Sequence, residues 1–541
     1  MKVELFNNRV DELFAEWDKP DSPGCAIAII KAGELIYKRG YGMADLEHDI
    51  VISPESIFDI GSTSKQFTAM CIALLVHQGK LSLEDTLHDY IPEMVKYEHP
   101  ITIRHLVHHT SGIRDYISLM DLAGMRFENE YPLEEVIGLL SQQKELNFVP
   151  GEEFLYSNSG YLLLAEVVKR ISGHSLREFS DEHIFTPLGM KSTHFHDDLS
   201  EIVKNRAIGY SPTQGGGYQI DMSISDLIGD GCLYTNVEDL FKWDQNFYNN
   251  TLGGFGQDLI EMVTTVGTLN NGELLNYAYG LFIDEYKGLS IIQHSGSWMG
   301  YVAEFSRFPQ QRYSVICLSN LSNINPSRLT RQIADLYLSD VMNVLEKDSK
   351  KTETEIIEPS ERDSETKTGI YICSKNGSVC ELSLIDRKLT ADLFGQSFQI
   401  VPESQNQYKS IDFPYDMNFT FGNTDAEKDN GIHIQFDDGS IYTYARIETE
   451  DLSPEQIQEY VGDYYCDELN TNYKIFLKDD VLQFNKKYYP PESLKYIAND
   501  LFFWTYLTFR FYRDGNNQII GFSLGEERIK NLKFIKRING Q

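Results

Sequence analysis

Residues 61–79 read GSTSKQFTAMCIALLVHQG, and this stretch does most to decide the fold. Its apolar residues recur at helical spacing, which predicts a helix from Ser62 to about Gln78, ended by Gly79. Ser62 and Lys65 are three residues apart, so one helical turn places both side chains on the same face. The helix start adds positive potential at the serine. A lysine within reach of such a serine either favours its deprotonated form or accepts its proton.

The Ser-x-x-Lys spacing is common by chance, and a capping serine beside a surface lysine is its usual explanation. Two further motifs give it weight. Residues 156–158 read YSN, follow a Pro-Gly pair, and precede apolar residues at helical spacing. Residues 294–296 read HSG and stand near the end of the segment 289–297, which we expect to be a buried strand that ends in a turn.

These three motifs, in this order and spacing, resemble those of the class C β-lactamase-like family of penicillin-recognising serine hydrolases. That family also includes DD-peptidases, D-aminopeptidases and carboxylesterases. The resemblance covers about the first 340 residues and includes LVHHTSG at 106–112 and PLGM at 187–190. It implies an α/β sandwich of the β-lactamase/transpeptidase-like type. The order of strands, helices and again strands also favours a sandwich whose first and last strands share one sheet.

The resemblance also assigns the catalytic roles. Ser62 is expected to be the nucleophile, and Lys65 and Tyr156 the proton-handling pair. Tyrosine has a reference pKa near ~10, so Tyr156 can act as a base only if the charge of Lys65 lowers its pKa. Asn158 is expected to hold an amide or ester group of the substrate. The backbone amides of Ser62 and Ser297 are expected to form the oxyanion hole.

The third motif departs from the pattern of many β-lactamases and DD-peptidases, which carry Lys-Thr-Gly there. Here His294, Ser295 and Gly296 are the expected substrate-binding residues. A lysine would supply a fixed charge for a substrate carboxylate, whereas histidine, with a reference pKa near ~6.5, is mostly neutral at pH 7. We therefore expect weak binding of β-lactams, improving as pH falls and the imidazole becomes charged. Family members with His-x-Gly include D-aminopeptidases and esterases.

The rest of the chain has a different composition and residue pattern. A charge-rich stretch at 346–366 reads as a linker between a hydrolase domain at 1–345 and an all-β region. GIYIC at 369–373 is repeated about 93 positions later as GDYYC at 462–466. This repeat predicts two antiparallel β-barrel domains, at 367–449 and 450–541. Chance similarity between two β-segments is the alternative.

Composition limits the partners. Asp and Glu number 81 against 48 Lys and Arg, a formal charge of −33, and such a surface repels nucleic acid and anionic membranes. We expect a small-molecule or short peptide substrate, no nucleic-acid or membrane partner, and no cofactor or metal; the oligomeric state is left open. The seven scattered cysteines favour free thiols. With no signal peptide visible, the expectation is a cytoplasmic protein, or a periplasmic or secreted one if a signal was removed.

Three other features were weighed as sites. Residues 521–525 read GFSLG, the esterase pattern, but turn residues around them predict a hairpin strand instead of a nucleophile elbow. His105 and His109 are one turn apart, yet no glutamate stands where a zinc protease needs one, so a structural loop is favoured. Glu304 could meet a substrate ammonium group, although an exposed strand residue is the plainer interpretation.

The sequence therefore predicts a serine hydrolase that cleaves amide or ester bonds through acyl-Ser62. D-amino-acid peptides or amides and small esters are the expected substrates, and β-lactams poor ones. Two alternatives stay open. One is a penicillin-binding sensor that acylates slowly, and the other is an interaction protein with a vestigial site.

Overall fold

The computed structural model describes residues 2–127, 129–346, 361–373, 375, 377–411, 417–422, 431–436 and 441–537. It divides into two compact units. The first comprises Met1–Ile113, Phe127–Ser141 and Phe148–Lys350, and the second comprises Arg114–Arg126, Gln142–Asn147 and Lys351–Gln541.

Most of the helices belong to the first unit. The α-helices are α1 Lys2–Phe14, α2 Lys65–His77, α3 Leu87–Tyr90, α4 Ile103–Val107, α5 Tyr116–Ala123, α6 Leu133–Ser141, α7 Asn158–Ser172, α8 Leu176–Ser180, α9 Thr186–Leu188, α10 Val237–Asn246, α11 Gln257–Val263, α12 Pro326–Glu346, α13 Glu361–Lys367 and α14 Pro454–Glu459. Shorter helical turns of 3-10 or π type lie at Gly61–Ser64, Asp181–Phe185 and Leu252–Gly254.

The first unit contains thirteen strands among its described residues. They are β1 Cys25–Lys31, β2 Glu34–Tyr41, β3 Met43–Asp45, β4 Ile50–Val51, β5 Phe58–Asp59, β6 His194–Phe195, β7 Tyr210–Pro212, β8 Tyr218–Ile220, β9 Leu233–Thr235, β10 Phe282–Tyr286, β11 Leu289–Trp298, β12 Tyr301–Phe308 and β13 Tyr313–Ser319.

Strands from both ends of the first unit form one six-stranded sheet, in the order β10-β11-β12-β13-β1-β2. The first strand of the chain, β1, pairs antiparallel with the last of these strands, β13, as the sequence predicted. The predicted hairpin between β1 and β2 is also present, and its turn residues Ala32 and Gly33 adopt φ values of 51° and 87°.

The six-stranded sheet has helices on both faces. On one face, side chains of β1, β11, β12 and β13 share a buried core with α1 and α12. On the other, Asp244 of α10 accepts hydrogen bonds from Arg307 Nε at 2.9 Å and Ser314 Oγ at 2.7 Å. A smaller three-stranded sheet, β5-β9-β6, completes the support of the site described below. The predicted α/β sandwich is confirmed.

The second unit is mainly β-structure. Its strands are β14 Gly369–Cys373, β15 Val379–Ile385, β16 Lys388–Leu393, β17 Gln396–Pro402, β18 Gln407–Ile411, β19 Asn418–Phe421, β20 Gly431–Gln435, β21 Ile441–Ile447, β22 Gly462–Cys466, β23 Thr471–Lys478, β24 Val481–Asn485, β25 Glu492–Ser493, β26 Lys495–Ala498, β27 Leu501–Trp504, β28 Leu507–Arg513, β29 Ile519–Glu526 and β30 Ile529–Lys536.

Strands β14 to β21 close into an eight-stranded antiparallel barrel, and β22 to β30 form a nine-stranded antiparallel sheet. The end strands of that sheet, β25 and β26, are consecutive in sequence, so it is a nearly closed barrel. The repeated motifs are the first strands of the two barrels, and each pairs with the last strand of its own barrel. The prediction of two all-β barrels is confirmed.

The barrel region also contains segments from earlier in the sequence. Arg114 is fully buried in the second unit, where its Nη1 donates to Glu468 at 2.7 Å and to Gln143 at 2.9 Å. Of the predicted linker, 347–360 lies outside the described residues, and 361–366 lies in α13. The domain boundaries 1–345, 346–366, 367–449 and 450–541 stay a prediction.

Two further features bear on the sequence analysis. The esterase-like motif at 521–525 lies inside β29, paired on both sides, so its interpretation as a hairpin strand is confirmed. Within the part of the chain that the structure describes, no helix combines the length and apolar character needed to cross a bilayer.

Candidate active site

Ser62 and Lys65 lie at the junction of the 3-10 turn Gly61–Ser64 and α2. The α-helix begins at Lys65 and not at Ser62, which corrects the predicted start by three residues. Two hydrogen bonds tighten this turn. The Gly61 amide donates to Asp59 Oδ1 at 2.8 Å, and Ser64 Oγ donates to the Gly61 carbonyl at 2.5 Å. The tighter turn still brings Ser62 and Lys65 together, because 3-10 spacing superimposes side chains three residues apart.

Lys65 is fully buried, although it is a lysine at a helix start. Its Nζ donates to Ser62 Oγ at 3.0 Å, to Asn158 Oδ1 at 2.8 Å and to the carbonyl oxygen of Asp230 at 2.7 Å. An ammonium group has three protons, so these three bonds fix its position. Ser62 itself is half-buried.

The second motif lies at the start of α7. Asn158 is the first residue of the helix, and Ser157 before it is the cap. The Ser157 amide donates to His109 Nδ1 at 3.1 Å, and the His109 ring lies 4.3 Å from that of Tyr156. Tyr156 is half-buried, with its ring centroid 4.8 Å from Lys65 Nζ. The structure thus brings Tyr156 and Asn158 to the Ser62–Lys65 pair.

The third motif lies near the end of β11, beside the same turn. Thr63 Oγ1 donates to the His294 carbonyl at 3.1 Å, which ties the turn to the strand. Side chains alternate along a strand. Accordingly His294 and Gly296 are buried, whereas Ser295 and Ser297 are exposed.

The two predicted oxyanion-hole amides lie on backbones that approach very closely. A Cβ added at Gly61 would lie 2.7 Å from the Ser297 nitrogen, and one at Gly296 would lie 3.0 Å from the Ser62 nitrogen. The Gly296 Cβ would also collide with the Ile60 carbonyl oxygen. Glycine is therefore required at both positions for the amides of Ser62 and Ser297 to come together. Their role as an oxyanion hole stays a prediction.

His294 has two hydrogen-bond partners inside the protein. Its Nδ1 lies 2.6 Å from the Ser295 carbonyl and its Nε2 lies 3.2 Å from the Tyr277 hydroxyl. Because a carbonyl only accepts, Nδ1 carries the proton and Nε2 accepts from Tyr277. Burial, with a further contribution from the charge of Lys65, lowers the pKa of His294 to about 3. The expected charging of this imidazole at mildly acidic pH is therefore wrong. Direct contact of residues 294–296 with substrate stays a prediction.

Three contributors to the site were missed by sequence reasoning. The Asp230 carbonyl holds Lys65, and the Tyr277 hydroxyl holds His294. Asp59 is buried beneath the 3-10 turn, and this burial raises its pKa to about 7. A backbone carbonyl has no residue-type signal, and Tyr277 is far from Ser62 along the chain. Asp59 is only three residues before Ser62, but nothing in the sequence shows that its carboxyl is buried.

The other weighed residues have structural partners. His105 Nδ1 accepts from the Thr102 amide at 3.1 Å, in the capping box of α4, and His109 accepts from Ser157. Glu304 is buried and not exposed as expected, and its carboxylate accepts from Ser306 Oγ at 2.8 Å and from Ser327 Oγ at 2.7 Å. These bonds make Glu304 part of the packing between β12 and α12.

Comparison with known proteins agrees with this geometry. The sequence matches the Beta-lactamase family over residues 8–338, more than half of the chain, and the chain belongs to that family. It is 28% identical to penicillin-binding protein 4* of Bacillus subtilis over 429 residues, which cover 76% of this chain and 92% of that protein.

Two other relatives are informative. The chain is 29% identical to a D-aminopeptidase of Brucella anthropi over 299 residues, covering 55% of this chain and 56% of that enzyme. It also resembles the structure of an octameric penicillin-binding protein homologue from Pyrococcus abyssi. That likeness has a TM-score of 0.57 at 27% identity and covers 82% of this chain and all of the other.

Proposed function

We propose that the protein is a serine hydrolase that cleaves amide or ester bonds through an acyl-Ser62 intermediate. The observation that carries the proposal is the buried Lys65, whose Nζ lies 3.0 Å from Ser62 Oγ and is fixed by Asn158 and the Asp230 carbonyl. A nucleophile within hydrogen-bond reach of a base that a third group orients is the general arrangement for covalent catalysis.

In the first step, Ser62 Oγ attacks the carbonyl carbon of the substrate and gives up its proton. Lys65 receives this proton after its own amine has lost one, because only the neutral amine has a lone pair, and Tyr156 is its partner in proton transfer. Negative charge forms on the carbonyl oxygen, and the amides of Ser62 and Ser297 donate to it. Such donors are worth about 3–4 kcal/mol each in transition-state stabilisation.

Collapse of this intermediate breaks the amide or ester bond. The leaving amine or alcohol takes a proton from the Lys65–Tyr156 pair and departs. Water then attacks the acyl carbon and gives its proton to Tyr156, which passes its own hydroxyl proton to the neutral amine of Lys65. Ser62 Oγ recovers its proton when the acid is released, so the enzyme returns to its starting state.

For substrates, we propose D-amino-acid amides and short D-peptides, or small esters, with β-lactams turned over poorly. His294 supports this choice because both its nitrogens are engaged and its pKa is held at about 3, so it offers no positive charge to a substrate carboxylate. The relative named a D-aminopeptidase supports amides of D-amino acids.

The test is covalent labelling with a fluorophosphonate and with a fluorescent penicillin, each followed by a chase. We expect fluorophosphonate labelling of the wild-type protein, none of Ser62→Ala, and normal labelling of Ser523→Ala, the serine of the esterase-like strand. Penicillin labelling should be slow and should decay during the chase. Stable penicillin labelling would instead favour the sensor, and an unlabelled wild type would favour a vestigial site.

A substrate screen then separates the chemistries. D-amino-acid p-nitroanilides, their L-enantiomers and p-nitrophenyl esters should be compared at equal concentration. Hydrolysis of D- but not L-anilides would support a D-specific amidase. Turnover restricted to esters would support the esterase alternative, and equal turnover of both enantiomers would contradict the proposed D-specificity.

A further inference from the structure

A second cluster of chemically capable side chains lies outside the residues of the proposed reaction. Residues 194–201 read HFHDDLSE. His194 is on β6, and His196 follows it directly, with its amide donating to the Cys232 carbonyl at 2.8 Å. Side chains two residues apart on an extended chain lie on the same face, so the imidazoles of His194 and His196 are on one side of the chain. The loop after them brings Glu201 back to both rings.

The three side chains form a small triangle of possible ligand atoms. His194 Nε2 lies 3.4 Å from His196 Nδ1, and each of these nitrogens lies 3.6 Å from Glu201 Oε2. The point equidistant from the corners of such a triangle is about 2.0 Å from each corner. Zinc binds imidazole nitrogen at ~2.0–2.1 Å and carboxylate oxygen at ~2.0–2.2 Å. The three ligand atoms therefore have the spacing that an ion of that size requires.

The charge states also suit a cation. Histidine binds metals as the neutral imidazole, through the ring nitrogen that carries a lone pair. The Arg177 guanidinium lowers the pKa of Glu201, which is therefore ionised.

Arg206, which acts on His196, and Arg177 are the opposing charges, and of the two Arg177 is bonded to Glu201. Its Nη1 donates to Glu201 Oε2 and its Nη2 to Glu201 Oε1, both at 2.8 Å, and its Nη1 also donates to Asp197 Oδ1 at 2.9 Å. Each carboxylate oxygen has a second lone pair, so Oε2 can accept from Arg177 and still bind a metal. The arginine thereby orients the carboxylate, as outer-shell partners do in metal sites, while Asp197 offsets its charge.

We propose that His194, His196 and Glu201 bind a zinc ion, with water in the remaining coordination position. Two imidazoles and one carboxylate are a ligand set that zinc accepts readily. The site is separate from the proposed acylation chemistry.

The position of the cluster indicates a structural effect. β6 pairs with β9, and β9 pairs with β5, the strand that leads into the turn carrying Ser62. The Leu233 amide of β9 also donates to Ser64 Oγ at 3.2 Å. A zinc ion would join β6 to the loop that ends at Glu201 and so stabilise the sheet beneath that turn.

The test is zinc binding to the full chain after treatment with a chelator. Isothermal titration with ZnCl2 should give one site per chain, and CoCl2 should give visible absorption bands typical of a four-coordinate ion. Zinc should also raise the melting temperature, because a ligand that binds only the folded state stabilises it. His194→Ala and Glu201→Gln should each weaken zinc binding at least about tenfold, since even outer-shell changes cost ~10–100-fold.

The matched control is His48→Ala. His48 belongs to a more exposed group with Asp45 and Glu47 that could also attract a cation. This variant should bind zinc as the wild type does. The proposal is overturned if the wild-type chain binds no zinc, if His194→Ala and Glu201→Gln bind it as tightly as the wild type, or if His48→Ala loses binding to the same extent. Circular dichroism of each variant distinguishes a lost ligand from a lost fold.

Discussion

Replacement of Lys65 by methionine is the most informative test of the proposed mechanism, because methionine nearly preserves the shape of the side chain while removing its amine. In the wild type this amine lies 3.0 Å from Ser62 Oγ and is the proposed base. General acid–base groups contribute ~10²–10⁴-fold to rates. We therefore expect acylation to slow by about that factor, equivalent to about 3–5 kcal/mol in the barrier.

Lys65→Met also affects the stability of the fold, and this effect has to be separated from the effect on the acylation rate. Asn158 Oδ1 and the Asp230 carbonyl would each lose a hydrogen bond from Lys65. A buried polar group left without its partner costs about 1–3 kcal/mol. Removal of a buried amine offsets part of that cost. We expect a lower melting temperature but a protein still folded at 25 °C, so the rate loss reports on chemistry.

The assay is the second-order rate constant for fluorophosphonate labelling, measured across pH together with thermal melts. Lys80→Met, an exposed lysine after the same helix, is the matched control and should behave as the wild type. If Lys65 is the base, the acidic limb of the wild-type pH profile should disappear in Lys65→Met. A variant labelled within tenfold of the wild-type rate, with an unchanged profile, would refute the assignment.

Three other predictions follow from burial. Because the pKa of His294 is held at about 3, the ratio of penicillin to neutral-ester acylation rates should stay flat between about pH 5 and 9; a ratio that rises on acidification would contradict a buried, neutral imidazole. Burial raises the pKa of Asp59 from 3.8 to about 7, so its contribution to stability is present below about pH 4 and lost as pH rises through 7. Asp59→Asn should therefore reduce the fall in melting temperature between about pH 5 and 8, and identical pH dependence in both proteins would argue against a buried, titrating carboxyl. A fragment of residues 1–350 should show faster amide exchange at 114–126 and 142–147, which pack in the second unit of the full chain; unchanged exchange would show that these segments hold their structure without it.

Much of the fold could be predicted because its information is local. The apolar spacing of residues 65–77 predicted α2, and the segment 289–297, expected to be a buried strand, is part of β11. The alternation of apolar and polar residues beyond residue 367, together with the internal repeat, predicted the two barrels that the structure contains. The predicted start of α2 was wrong. The hydrogen bonds from Ser64 Oγ to the Gly61 carbonyl and from the Gly61 amide to Asp59 favour a 3-10 turn there over the first turn of an α-helix.

Some features of the active site were likewise decided by the local sequence, and others only by the packing of the elements. The sequence alone determined that Ser62 and Lys65 meet, because their spacing within one turn decides it. Only the tertiary structure decided that Lys65 is buried and held by the Asp230 carbonyl, that burial and the charge of Lys65 keep His294 neutral, and that Glu201 meets two histidines. The physical reason is that burial and long-range approach depend on how elements pack, and they set the protonation states on which the chemistry of these residues depends.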